Sequence, residues 1–270
     1  MAVITISRGS YSMGKTVAEQ VAQRLGYIVI SRDLLLETSA RYHIPEIKLV
    51  RAIHDAPGIL ERLRHSKQAY LAYIRAALTE RVSQGNVVYH GLAGHIMLKE
   101  IPGVLKVRIN ADLETRVARE MAREGISAAE ARAIILKDDQ QRRRWTKSLH
   151  KVDPWDSDLY DLVIRIDRLT VEDAVNFICG AAQGESFNNT PKSLAKLQDL
   201  ALACRIKAEL VEEFPSIGVT CQFGNVIVYT SEKKQGGAKL HKRIEALRKT
   251  IQHMYNIEIH STGSLPSSAV

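Results

Sequence analysis

The chain has 270 residues, 45% hydrophobic and 25% charged, which at roughly 150 residues per domain suffices for about two domains with real cores. No apolar run reaches the ~18 residues a membrane-spanning helix needs, and MAVITISRGS carries neither a basic leader nor an apolar signal core, so a cytoplasmic location is expected. The net charge of +8 is diffuse, with 27 basic against 23 acidic residues up to position 190 and 11 against 7 beyond it.

Such a charge points to anionic ligands. With 6% aromatic residues and no strand that interleaves aromatic with basic side chains, phosphorylated small molecules are expected rather than nucleic acid. Cys179, Cys204 and Cys221 form no C-x-x-C pair, which argues against a disulfide framework or a zinc site; reduced thiols are expected.

In chain order, the β-branched run Val3 to Ser7 predicts a strand, glycine-punctuated polar residues a loop, and Val17 to Leu25 a helix by its 3.6-residue spacing. Tyr27 to Ile30 reads as a second strand, and Leu34 to Gln84 as helical with breaks at Pro45 and Pro57-Gly58. Strands follow at Asn86 to Tyr89 and Val104 to Ile109, around a helical stretch Ile96 to Glu100. Next come charged helices at Ala111 to Glu124 and Ala128 to Lys147, a strand Leu162 to Ile166, and a helix Val171 to Ile178. Alternating strands and helices imply an α/β domain, a parallel sheet sandwiched by helices with ligands at the carboxyl ends of its strands.

The aperiodic GAAQGESFNNTPKS then reads as a linker. Beyond it, a helix from about Ser193 to Glu213, strands Gly218 to Phe223 and Val226 to Thr230, a helix Ala238 to Met254 and a strand Ile257 to His260 predict a small α+β domain of order αββαβ. The expected division is 1–180, a linker at 181–192, the small domain at 193–262 and a frayed tail at 263–270.

Gly9-Ser10-Tyr11-Ser12-Met13-Gly14-Lys15-Thr16 matches G-x-x-x-x-G-K-[ST] between a predicted strand and a predicted helix, the context in which that motif cradles phosphate. The glycines let successive N–H groups turn inward, and the helix N-terminus adds about half a positive charge. Lys15 is expected on the β and γ phosphates and Thr16 on magnesium, so ATP with Mg2+ is the expected ligand pair. A GTPase reading fails for want of a convincing N-K-x-D loop: His150-Lys151-Val152-Asp153 follows an arginine-rich helix instead of a strand. A motor ATPase reading fails because the strand Asn86 to Tyr89 runs into His90-Gly91, not a carboxylate. A small-substrate kinase remains.

ITISRGSYSMGKTVAEQVAQRLGY, YIVISRDLL, VVYHGLAGHIML, VLKVRINADLETRVAREMARE, KDDQQRRRW and YDLVIRIDRLTVEDAVNFI resemble, in order, the cytidylate kinase-like P-loop kinases over about the first 180 residues. The resemblance implies transfer of the ATP γ-phosphoryl to a nucleoside monophosphate, with CMP or dCMP expected. It makes Asp33 a substrate-side or magnesium-water carboxylate, with an N-cap of the helix at Leu34 as the alternative. It matches Asp139 and Arg142 to the D-x-x-R of the family's lid. Arg142, Arg143 and Arg144 cannot all face one way, since neighbours on a helix are ~100° apart. Arg116 and Arg119 match the family's R-x-x-R on the substrate side, against the alternative of a helix face paired with Glu114 and Glu120. Where the family has Gly-Arg after the third strand this chain has Gly91-Leu92, with His90 and His95 as substitute donors or structural residues. That departure puts the acceptor in question.

The C-terminal unit resembles BON modules, which implies an anionic lipid or protein partner. Lys233, Lys234, Lys239, Lys242 and Arg243 form either a basic patch or a solvated helix face, and self-association through the sheet edge stays open. Two other functions remain beside the enzyme reading: a nucleotide sensor whose C-terminal module engages a partner, and a kinase of another small metabolite.

Overall fold

The computed structural model describes residues 2–31, 33–43, 67–91, 93–188, 190–231, 234–251 and 254–270, without the side chains of 33, 67 and 234–237. The expected breaks at Pro45 and Pro57-Gly58, the departure at Leu92, and Lys233 lie outside these residues. Two compact units emerge by contact, and they interleave in sequence: among the described residues, those up to 33 and those of 84–190 form one, and those of 34–43, 67–83 and 191–270 the other.

The first unit holds β1 (Val3–Arg8), α1 (Gly14–Leu25), β2 (Ile28–Ile30), β3 (Val87–His90), a short α4 (Gly94–Met97), β4 (Val104–Asn110), α5 (Leu113–Glu124), α6 (Ala128–His150), β5 (Leu162–Arg165) and α7 (Val171–Ala182). All its strand pairs are parallel, in the order β2-β3-β1-β4-β5. β1 is central, with Val3 facing Val87 on one side and Val104 on the other. A strand so placed is covered on both faces and reads as an unbroken apolar run, and Val3, Ile4, Thr5 and Ile6 are all buried. Val17 and Val21 of α1 and Val175 and Ile178 of α7 join Ile4, Ile6 and Val107 in the main core. Local signals set several helix starts: Ser127 with Glu130 and Thr170 with Asp173 form reciprocal capping boxes, and Asp112 caps α5 through the Thr115 amide. The chain crosses β1 on its way from β3 to β4, which makes the carboxyl end of β1 the switch point where open α/β sheets bind ligands.

The second unit holds α2 (Asp33–Tyr42, from residue 34), α3 (Lys67–Val82), α8 (Pro191–Leu210), β6 (Gly218–Gln222), β7 (Asn225–Thr230), α9 (Lys234–Arg248) and β8 (Asn256–Ser261). β6 and β7 are antiparallel, β7 and β8 parallel, in that order, and α8 and α9 cover the sheet through Leu202, Ile206, Leu240 and Ile244. The expected αββαβ order is present. Helices α2 and α3, which the sequence reading places with the nucleotide domain, group with this unit. Tyr42 stacks on Tyr73 with ring centroids 4.1 Å apart, and the Tyr73 hydroxyl donates to Glu212 at 2.7 Å. The last residues, expected to fray, dock on β6, where the Val270 amide donates to the Val219 carbonyl at 2.9 Å. Of the expected basic patch, Lys239 and Arg243 share Glu213 as counter-ion.

A small satellite cluster of Val117, Ala131 and Ile135 fixes α6 on α5. Ile135 is fully buried, so Ile135→Ala is expected to cost about 2–5 kcal/mol through lost burial and the cavity left behind. Denaturant unfolding followed by tryptophan fluorescence checks this, because both tryptophans, Trp145 and Trp155, lie in the first unit.

Candidate functional site

The segment from Gly9 to Met13 joins the carboxyl end of β1 to α1. The Gly9 amide donates to the Ile109 carbonyl at 3.0 Å, and the Ser12 hydroxyl reaches the carbonyls of Gly9 (2.8 Å) and Ile109 (3.1 Å), which pins the loop to β4. Tyr11 and Met13 have φ of 59° and 58°. Left-handed residues alternating with right-handed ones turn successive N–H groups toward one concavity, a geometry that binds anions. No side chain caps α1, and no acidic residue occupies its first turn. A Cβ on Gly14 would stand 2.8 Å from Cβ and 2.9 Å from Cδ of Arg8. That glycine is what lets the arginine stem run beside the helix start.

Cations converge here. Arg8 ends β1, Lys15 lies in the first turn of α1 and Arg142 comes from α6. Burial, then the charge of Arg142, depresses the Arg8 guanidinium to about 10, and burial also lowers Arg142, against the opposing pull of Asp138 and Asp139. Neither guanidinium makes a hydrogen bond or ion pair of its own with a described residue, and Lys15 has only an exposed contact with Glu19 at 3.7 Å. His90, at the carboxyl end of β3, is pushed down to about 3 by burial and then by Arg8, Arg142 and Lys15. It is neutral at physiological pH, and its Nε2 is buried without a partner.

Asp139 accepts from the Ser10 amide at 3.0 Å with Oδ1 and from Arg116 Nη1 at 2.6 Å with Oδ2, and Arg116 also donates to the Ser10 carbonyl at 3.3 Å. This ion pair is nearly buried, with side chains 10% and 13% exposed. The neighbouring Asp138 accepts from the Tyr11 hydroxyl at 3.0 Å. Arg119, three residues along α5, is tied to the Ile166 carbonyl at 3.1 Å, away from this group. Glu114 and Glu120, the alternative partners of Arg116 and Arg119, pair with Arg132 and Arg123 instead.

The three consecutive arginines diverge as helix geometry demands. Arg142 faces the loop, Arg143 binds Asp153 and lies 4.1 Å from the Trp155 ring centroid, and Arg144 is exposed. Those contacts with Arg143 and Lys147 hold Asp153 well below the usual carboxylate range, which accounts for the residue that imitated a GTPase motif. His95 is structural: its Nε2 is 3.1 Å from the Tyr160 hydroxyl and the rings are 4.6 Å apart. Asp33 opens α2, three residues past the end of β2.

Arg8 is the site residue missed from the sequence. Its signal was a charged residue ending an otherwise apolar central strand directly before the first glycine.

A triphosphate fits this cradle, since loop amides, a lysine and two half-buried guanidiniums gather there, and neither guanidinium is bonded to a carboxylate of a described residue. Thr16 follows Lys15 in the first turn of α1, and the described residues contain no group of three or more His, Cys, Asp or Glu that could hold a metal ion.

A parallel sheet with a glycine loop and lysine at its switch point defines a P-loop phosphotransferase. More narrowly, the chain belongs to the cytidylate kinase-like family, whose model matches residues 3–168. A cytidylate kinase of Methanopyrus kandleri is 32% identical over 66% of this chain and 92% of its own length, and that of Pyrobaculum aerophilum 28% identical over 65% and 89%. Among solved structures, an uncharacterized protein of Eubacterium ventriosum shares the fold with a TM-score of 0.53 at 20% identity, over 68% of this chain and 100% of that one.

Two predictions arise here. Gly14→Ala drives a methyl into the Arg8 stem and is expected to weaken ATP binding about five- to 150-fold, from about one to three kcal/mol of local overpacking, measured by calorimetric titration. His90 and His95, both pushed down to about 3, take up protons on unfolding at pH values between about 3 and the ordinary 6.5. Their stabilising contribution is therefore complete above about 6.5 and is lost as pH falls toward 3. Thermal melts by tryptophan fluorescence are expected to show a lower midpoint at pH 5.0 than at 7.5, with the slope reduced in His95→Gln.

Proposed function

We propose that this chain is a magnesium-dependent nucleoside monophosphate kinase that moves the γ-phosphoryl of ATP to CMP or dCMP. The observation that carries the reading is the set of cations, Arg8, Lys15 and Arg142, gathered from three elements around one glycine loop, of which the two arginines make no ion pair with a described residue and Lys15 only an exposed one with Glu19. Burying like charges together is unfavourable unless an anion joins them, and phosphoryl transfer asks a protein chiefly for positioning and charge stabilisation.

In this reading the loop from Gly9 to Thr16 holds the donor phosphates through its amides from Tyr11 onward, those of Gly9 and Ser10 being committed to the Ile109 carbonyl and to Asp139, and Lys15 follows the β and γ groups from the first helical turn. The Thr16 hydroxyl would hold a magnesium ion arriving with the nucleotide, which would supply neutralisation of phosphate charge. Arg142 and Arg8 stabilise the charge on the phosphoryl in flight. Asp139 acts by position: it holds the Ser10 amide and Arg116, which sets where Arg142 stands one helical turn further along. His90, kept neutral by burial and then by its cationic neighbours, offers a hydrogen bond without adding charge. Asp33 serves the acceptor side with Arg116, which contributes through Asp139, and with Arg119, which would have to leave the Ile166 carbonyl to reach a substrate.

The test is ADP and nucleoside diphosphate formation from ATP, magnesium and a panel of monophosphates. Turnover with CMP or dCMP is expected; binding of ATP with no diphosphate from any acceptor would overturn the kinase reading and favour a nucleotide sensor. Lys15→Ala is expected to lower kcat by about 100- to 1,000-fold with an unchanged melting temperature, because its side chain is 73% exposed. Arg142→Ala should lower kcat more than it raises the Kd for ATP; equal kcat in this variant removes Arg142 from the reaction.

A further inference from the structure

The second unit contains a cavity of about 500 Å³ between α3, α8 and the β6–β7 turn, lined by Glu80, Gln198, Asp199, Arg205, Phe223 and Tyr255 among others. That volume lies within the range of small-molecule sites. The turn over its mouth has an unusual composition. Phe223 and Gly224 take consecutive φ values of 51° and 73°, the arrangement of a two-residue hairpin turn that favours Asn-Gly or Asp-Gly. A phenylalanine at positive φ is strained, and this one gains little by burial, being 69% exposed. Both oxygens of Asp199 hold the strained turn, accepting from the amides of Phe223 at 2.7 Å and Gly224 at 2.9 Å. The Tyr255 amide donates to the Gly224 carbonyl at 3.0 Å, which brings a second aromatic ring, 75% exposed, to the same mouth. Strain kept at an exposed aromatic residue is the signature of a functional position.

The charges of the cavity are unequal in what they have left to offer. Asp199 is occupied by the turn and by the Cys221 thiol, and Glu80 is paired with Arg41. Arg205 makes no ion pair with a described residue, and its Nε is buried without a hydrogen-bond partner. Among the described residues the uncommitted charge is therefore a cation that lines the same cavity as two exposed rings. We propose that this cavity binds a small planar aromatic anion, its ring against Phe223 and Tyr255 and its carboxylate, phosphate or sulfonate on Arg205. The site is independent of the glycine loop and stands whether or not the kinase reading does.

The probe is 1-anilinonaphthalene-8-sulfonate, an aromatic sulfonate, titrated by fluorescence into the full chain with N-phenyl-1-naphthylamine as its uncharged counterpart. Saturable binding is expected, at least tenfold tighter for the sulfonate and at least tenfold weaker in each of Arg205→Met, Tyr255→Ala and Phe223→Asn. Phe223→Asn should at the same time raise the melting temperature, since Asn-Gly suits the turn. No saturable binding by the wild type, equal affinity for the uncharged dye, or wild-type affinity in Phe223→Asn and Tyr255→Ala would overturn the proposal. A lower melting temperature in Phe223→Asn would show that the phenylalanine serves the fold instead.

Discussion

Asp139 lies on α6 yet reaches, with one oxygen, the first inward amide of the glycine loop and, with the other, the nearly buried Arg116 of α5. Three segments far apart in sequence are thereby fastened at one point. Removing one member of such a buried pair typically costs about 3–5 kcal/mol, because the other charge is left without compensation. Arg142 follows Asp139 by three residues, so both project from the same face of α6. The carboxylate that closes the loop therefore also places the guanidinium that looks into it.

Around that fastening the first unit accumulates positive charge at the end of its central strand. Arg8 and His90 both titrate below their ordinary values, first through burial and then through neighbouring cations. A fold selected for stability alone would separate these groups or pair them with carboxylates. Here the nearby carboxylates serve other ends: Asp138 accepts from Tyr11 and Asp139 from Ser10 and Arg116. The same division of labour recurs in the second unit, where Asp199 is consumed in holding a strained turn and Arg205 is left over. In both units a carboxylate builds the backbone and a cation remains available.

The strands, most helices and the phosphate loop were legible in the sequence, since each depends on residues within a few positions: β-branched runs, 3.6-residue spacing, capping residues and the two glycines of the loop. Val3 to Ser7 followed by GSYSMGKT is enough to place a cradle. The partners of α2 and α3 were not legible. Amphipathic spacing says that a helix buries a face but not against what: α3 packs with α8, more than a hundred residues later, and α2 stacks on α3 through Tyr42 and Tyr73. Arg8 escaped notice because its role depends on Gly14 clearing room for its stem. The ending of the chain read as frayed from its small polar residues, whereas the Val270 amide finds an acceptor on β6.

By itself, then, the sequence determined the chemistry of the loop, the parallel α/β class and the αββαβ order of the C-terminal segment, because dihedral preference, hydrophobic period and capping act locally. Only the tertiary structure decided which charged groups meet. Ser10 and Asp139 are 129 positions apart, and Ser10 and Arg116 are 106 apart. Electrostatic and steric interactions at a site depend on distance in space, and chain separation of that order carries no information about distance until the sheet has paired.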